Sequence, residues 1–196
     1  LSLLGSLLLV ARLVDAGVDP LLGGWSDRTG NRRRLIVFAL PCLAIGILLL
    51  LQPPALAAPL WLLVSMLVTY FGFSLASVAY QAWGAELGSD GGERTRLAAS
   101  REGFGLLGVV LAAALPGLVA SDLARGLSVL AQGFPLLLLL LASWTLLGTP
   151  AAAARRPAAG PWLGGLRAAW SDTCFRRLLV VFVVNGIAAA LPATLV

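Results

Sequence analysis

The chain has no histidine and no lysine, and only 12% of its 196 residues are charged, where a soluble domain carries about 25%. Without histidine it lacks the commonest metal ligand and the side chain that titrates nearest neutral pH, so its chemistry rests on Asp, Glu, Arg, Ser, Tyr and Gln. No nucleophile is recognisable beside a base, so neither an enzyme nor a bound cofactor is expected. The shortage of charge is too great for a surface wetted on all sides and excludes a soluble enzyme. Cysteine is scarce as well. Cys42 lies in an apolar run and Cys174 in a basic loop, with neither CxxC spacing nor the density of a disulfide scaffold.

Apolar residues make up 59% of the chain, and the mean hydropathy is +0.93. They fall in long runs such as Leu35–Leu51 and Phe134–Leu141. A hydrocarbon core of about 30 Å takes about 20 helical residues. Stretches 2–24, 35–51, 60–83, 97–120, 127–147 and 177–196 reach or approach that length. They predict an all-α polytopic membrane helical bundle of about six transmembrane helices, with the lipid bilayer as its first partner. The chain opens on Leu1 within an apolar stretch that lacks the basic region and cleavage site of a signal peptide, and closes within Ile187–Val196. It reads as a fragment of a longer membrane protein, with a C-terminal half of the same chain as its missing partner.

All fourteen basic residues are arginines, and twelve lie in three connections. Residues 25–34 hold Arg28, Arg32, Arg33 and Arg34; residues 84–101 hold Arg94, Arg96 and Arg101; residues 148–177 hold five more. The intervening loops, Gln52–Pro59 and Ser121–Gly126, share Arg125 alone. This asymmetry places the three basic loops in the cytoplasm and explains the net charge of +5 as topology, with no nucleic-acid partner. Trp25, Trp61, Trp83 and Trp144 fall near span ends, as an interfacial belt requires. The third basic connection is rich in Ala, Pro, Gly and Arg and reads as a linker. It divides the chain into an N-terminal bundle (1–148), a cytoplasmic loop (149–176) and the first helix of a second bundle (177–196). Within the loop, 162–170 is either a short surface helix or an ordinary turn.

Three charges interrupt the first span. Arg12, Asp15 and Asp19 are spaced to share one helical face. Each costs about 2.5–3.5 kcal/mol in a bilayer, and such residues face a bundle interior or an aqueous cavity, marking an ion or substrate path. If Arg12 neutralises one aspartate, the face keeps one negative charge that Na⁺ or H⁺ would balance; alternatively Arg12 and Asp15 form a structural pair. Pro20 cannot donate to the carbonyl of Ala16, which predicts a kink and a free oxygen there. Gly17, Gly23 and Gly24 offer room for a neighbouring helix.

The third span carries Tyr70, Ser74, Ser77 and Gln81 at i, i+4, i+7 and i+11, a polar stripe on one face. Ser74 and Ser77 lie roughly 3–8 Å to the cytoplasmic side of their helix midpoint and the aspartates about 3–9 Å from theirs, at matching depth. A hard cation with oxygen ligands fits between Asp15, Asp19, Ser74 and Ser77. Arg101, a turn inside the fourth span, either contacts solute or reaches out to phosphate. Gly103, Gly105 and Gly108 spell GxGxxG within an apolar helix with no strand before it; the dinucleotide reading fails, and Ala99, Gly103, Gly108 and Ala112 read as helix-packing positions.

The run Gly23-Gly24-Trp25-Ser26-Asp27-Arg28-Thr29-Gly30-Asn31-Arg32-Arg33-Arg34 resembles the G-x-L-S-D-R-x-G-R-R loop of the major facilitator superfamily, departing at Trp25 and Asn31. Ala11 to Gly23 resembles the R-x-x-D-A-x-x-D-P-x-x-G helix of its glycoside-pentoside-hexuronide cation symporters. Ala79-Tyr80-Gln81-Ala82, Glu86-Leu87 and Glu93-Arg94-Thr95 are similar to that family's P-Y-x-A, E-L and E-R-T elements, and Asn185 to Pro192 to its seventh helix. The resemblance implies helices two to seven of a twelve-helix fold in a bacterial cytoplasmic membrane. It implies cation binding at Asp15 and Asp19 with Arg12 close by, a sugar contact at Arg101, and a cytoplasmic gate containing Asp27 and Arg28; Arg12, Tyr70, Gln81 and Arg101 are the solute-binding candidates, and Gly30 and Arg32 complete the gating loop. The function expected is symport of a sugar or related polar solute with H⁺ or Na⁺. A proton-driven exporter, or a sensor or scaffold of the same fold, is the alternative. Ser77 stands where a sugar-transporting member has an aspartate, which removes a third carboxylate and favours H⁺ over Na⁺, and Gln81 stands where it has a sugar-stacking tryptophan; together they make a galactoside a less secure solute.

Overall fold

The computed structural model describes residues 2–54, 59–150 and 170–195, with side chains described for 5–54, 59–150 and 170–185. Among these residues it is helical, without strands: α1 (Ser2–Thr29), α2 (Arg32–Leu51), α3 (Pro59–Leu87), α4 (Gly91–Val119), α5 (Leu123–Gly148) and α6 (Thr173–Leu195). The chain divides into two units, Leu1–Pro157 and Ala158–Val196. The linker arginines Arg155, Arg156 and Arg167, and all of 162–170 except Trp170, lie outside the described residues, as do the side chains of the Asn185–Pro192 stretch beyond Asn185.

Local sequence sets the helix ends. Gly30 takes φ +64°, a left-handed conformation favoured by glycine, and stops α1. Asn31 then caps α2 by accepting the Arg34 N–H at 3.1 Å, and Asp90 caps α4 by accepting the Glu93 N–H at 2.7 Å. Glu93 reaches back to the N–H and hydroxyl of Ser89, both at 2.8 Å, a variant of the capping box. Asp172 does the same service for α6 through the Cys174 N–H at 2.8 Å.

Among the described residues, four helices, α2 to α5, are long and apolar enough to cross a membrane. The first helix has the length, 28 residues, and carries Arg12, Asp15 and Asp19 in its middle. It runs through Pro20 as one helix.

The core of the first unit joins Leu22 of α1, Leu35, Ile36, Ala39 and Leu40 of α2, and Leu75, Ala79 and Trp83 of α3, with Leu138, Ala142 and Leu146 of α5 against it. The α2 set recurs at helical spacing and makes one buried stripe. In lipid the force joining such stripes is close packing, which small residues permit. At the α2–α3 crossing, a Cβ on Gly72 would sit 2.5 Å from the Leu43 nitrogen and one on Gly46 2.7 Å from the Thr69 Cα. Gly126 brings α5 equally tightly onto the Pro116 carbonyl of α4.

The glycines expected to pack helices are different ones. A Cβ added to Gly17, Gly23, Gly103, Gly105 or Gly108 would meet nothing within 4 Å. Mutation should separate the two sets. Gly72→Val forces side-chain atoms onto the α2 backbone, which cannot yield as a flexible side chain does, and should cost about 3 kcal/mol. Gly105→Ala should be neutral or slightly stabilising, because it raises helix propensity. Thermal unfolding of the purified proteins in detergent checks both.

The aromatic belt also needs correction at one position. Trp144 is 77% exposed, but Trp83 is 2% exposed and belongs to the core. Trp25 meets Phe38 edge-on at 6.3 Å, and Trp61 donates from Nε1 to the Leu49 carbonyl at 3.0 Å.

Candidate functional site

The charged face of α1 meets the polar stripe of α3. Ser74 is buried and donates from Oγ to Asp15 Oδ1 at 2.9 Å, linking residues 59 apart in sequence. One turn earlier on each helix, the Arg12 guanidinium lies over the Tyr70 ring, 5.1 Å from its centroid, a cation–π contact. The alternative reading, a structural Arg12–Asp15 ion pair, is therefore not seen among the described residues. Asp19 is exposed and has no hydrogen-bond or ion-pair partner among the described residues. The lower stripe closes on itself, as Gln81 Nε2 donates to Ser77 Oγ at 2.9 Å.

This arrangement combines a half-buried carboxylate held by a hydroxyl, a second carboxylate four residues on, and a guanidinium stacked nearby. Among the described residues there is no cluster of three or more His, Cys, Asp or Glu side chains. A cation here would draw its remaining ligands from neutral oxygens such as hydroxyls, carbonyls and water, the donor set of hard ions. The Ser74 hydroxyl fixes Asp15 in place without adding charge, so the site keeps its negative sign.

The loop residues form a second cluster at the arginine-rich end. Arg32 is only 8% exposed and donates to the Ser26 hydroxyl, to Asp27 at 2.8 Å and to Glu86 at 3.3 Å. One forked guanidinium thus ties the end of α1, the start of α2 and the end of α3. Gly30 shapes the turn that brings Arg32 round. Arg28, expected in the same group, is exposed and takes no part in these bonds.

Sequence reasoning assigned no role to Ser26 or Glu86 of this cluster, or to the neighbouring Arg33. Glu86 was legible only as a motif residue, and Arg33 only as a topology charge. Arg33 donates to the Leu146 carbonyl near the end of α5 and places its guanidinium 5.7 Å from the Trp83 ring centroid. No local signal distinguishes Arg33 from Arg34, which is exposed; their different positions around the helix do.

Gln81 and Arg101, expected to bind solute together with Arg12 and Tyr70, lie elsewhere. Both line a cavity of about 380 Å³ between α3, α4 and α5. None of Arg12, Asp15, Tyr70 or Ser74 borders it. Arg101 is also bonded to the neighbouring Glu102 at 2.6 Å.

The chain matches no curated protein and no solved structure. The family model described as MFS/sugar transport protein matches residues 1–196. That match agrees with the helical membrane architecture. The chain is an integral membrane transport protein of the MFS/sugar transport family.

Proposed function

We propose that the protein is a cation-coupled symporter of a sugar or related small polar solute, similar to the glycoside-pentoside-hexuronide symporters, in a bacterial cytoplasmic membrane. The observation that carries this reading is the Asp15–Ser74 hydrogen bond, which seats a carboxylate of α1 against a hydroxyl of α3 beside the Arg12–Tyr70 stack. In this reading Asp15 and Asp19 take H⁺ or Na⁺, with Ser74 and Ser77 as neutral oxygens near them. Arg12 and Tyr70 contact the solute. Tyr70 presents a ring on which a sugar stacks, and Arg12 presents five donors to hydroxyls or a carboxylate.

Cation and solute then occupy neighbouring parts of one helix pair, so occupancy of one site changes the field and geometry at the other. Coupling follows if the loaded and empty forms differ in how the two bundles rock across the membrane. The Arg32 cluster ties the helix ends on the arginine-rich side and in this scheme is part of the gate.

The test is uptake into proteoliposomes by the protein expressed from its complete gene. A panel of labelled mono- and disaccharides is offered under an imposed Na⁺ gradient, an imposed pH gradient, or neither. Accumulation of at least one sugar under one gradient only is expected, and the gradient that works names the ion. Uptake that ignores both gradients, or no uptake of any sugar, would overturn symport.

A further inference from the structure

The side of α3 nearest α4 and α5 is incompletely filled. A cavity of about 280 Å³ is walled by apolar side chains, including Ile36 and Leu40 of α2 and Phe134, Leu138 and Leu141 of α5. The cavity of about 380 Å³ that holds Gln81 continues it at the arginine-rich end, where Arg94 and Arg101 of α4 contribute to the walls. Tyr80, Trp83 and Thr145 line both. The two therefore adjoin, one apolar and the other bearing two guanidinium groups.

Trp83 stands at the junction. It is 2% exposed, and its Nε1 has no hydrogen-bond partner among the described residues. Buried indole N–H groups usually find an acceptor, and an unmet donor is costliest where water is absent. The stacked Arg33 guanidinium occupies a ring face and cannot serve as the acceptor. Arg94 is anchored by its Nε–H to the Gly88 carbonyl at 3.2 Å. Among the described residues, the only acidic side chain bonded to either arginine is Glu102, itself 70% exposed. The seam thus combines one unmet buried donor, the Trp83 indole, with two guanidinium groups that keep further N–H donors, next to an apolar slot.

We propose that the joined cavities bind one anionic phospholipid. Its phosphate lies against Arg94 and Arg101, accepts from the Trp83 indole, and directs one acyl chain into the cavity beside α5. The depth is that of a headgroup: Trp83 is four residues from the end of α3 at Leu87, about 6 Å along the axis. Basic pockets between transmembrane helices on the arginine-rich side are a recognised setting for anionic headgroups. A sugar would leave the apolar cavity unused, and free phosphate would do the same. The lipid would also brace α4, which is exposed along nearly its whole length, against α3.

Native mass spectrometry of the delipidated chain, titrated in detergent with phosphatidylglycerol, tests this. One phosphatidylglycerol should be retained per chain at low lipid concentration. Arg94→Gln removes a charged donor and should weaken binding about tenfold. Ala142→Phe fills the apolar cavity, leaves both arginines in place, and should weaken it comparably, which keeps the proposal testable if the arginine variant folds poorly. Diacylglycerol, which has the chains without the phosphate, and inorganic phosphate, which has the charge without the chains, should each bind far more weakly. Equal retention of diacylglycerol, displacement of the lipid by inorganic phosphate or by a transported sugar, or unchanged affinity in both variants would overturn it.

Discussion

Asp15→Asn is expected to reduce gradient-driven solute accumulation by about a hundredfold or more while leaving the fold intact. Asparagine has the shape of aspartate, and its carbonyl oxygen still accepts the Ser74 hydroxyl that now bonds Asp15 at 2.9 Å. The change therefore removes charge and little else. Two unit charges about 4 Å apart interact by about 4 kcal/mol at an effective dielectric of about 20, which amounts to roughly a thousandfold in affinity for the cation. Asp19→Asn should have a similar effect on accumulation with less effect on stability, because Asp19 is exposed and unpaired among the described residues. The measurement is accumulation against downhill exchange in proteoliposomes. Exchange that persists while accumulation is lost assigns the aspartates to coupling. Full accumulation in both variants would remove them from the mechanism.

Arg32→Ala should destabilise the bundle by about 3–5 kcal/mol, the usual consequence of removing one partner from a buried ionic cluster. Glu86, 16% exposed, would be left without its cation, and Ser26, fully buried, without its donor. Arg32→Lys should recover only part of this, because an ammonium cannot reach Ser26, Asp27 and Glu86 with one planar fork. Chemical denaturation in detergent, followed by loss of helical signal, reads both. Adding Glu86→Gln to Arg32→Ala should return a substantial fraction of the lost stability, since the stranded charge disappears. If the single Arg32→Ala protein is as stable as the parent, the cluster does not staple the helix ends.

The two effects differ in kind, and the difference follows from position. Arg32 closes a loop between helix ends, where pairing is satisfied and structural. Asp15 and Asp19 sit within α1, and the Ser74 hydroxyl is the one hydrogen-bond donor that reaches either of them among the described residues. A charge kept inside a membrane helix without a countercharge is maintained at a cost, and a mobile cation is the partner that would offset it.

Much of this was readable from local patterns. Hydropathy placed the helices to within a few residues at most ends, because crossing a bilayer demands a continuous apolar stretch whatever the rest of the fold does. The caps at Asn31, Asp90 and Asp172, which the structure shows, are equally local, because capping is a bond to a backbone N–H two or three residues away. The spacing of Arg12, Asp15 and Asp19 put them on one face, because helical periodicity is itself local.

Partnership was not readable in the same way. Whether Arg12 turns to Asp15 on its own helix or to Tyr70 on another depends on the rotation and depth at which α1 meets α3, and the structure has it over Tyr70. Gly46, Gly72 and Gly126 matter because backbones cross there, while Gly103, Gly105 and Gly108 make a more conspicuous motif and face open space where a Cβ would stand. Trp83 has the sequence position of a belt residue and the environment of a core residue, because Arg33 and α5 close over it. Charge, length and periodicity along the chain were thus sufficient to specify a membrane-spanning helical bundle and the charged face of its first helix, while transport entered through the motif resemblance and the family match. Which side chains meet across that face, and where a seam is left unfilled, arise from helix-to-helix contacts between residues dozens of positions apart, and no local pattern encodes the angle at which two helices cross.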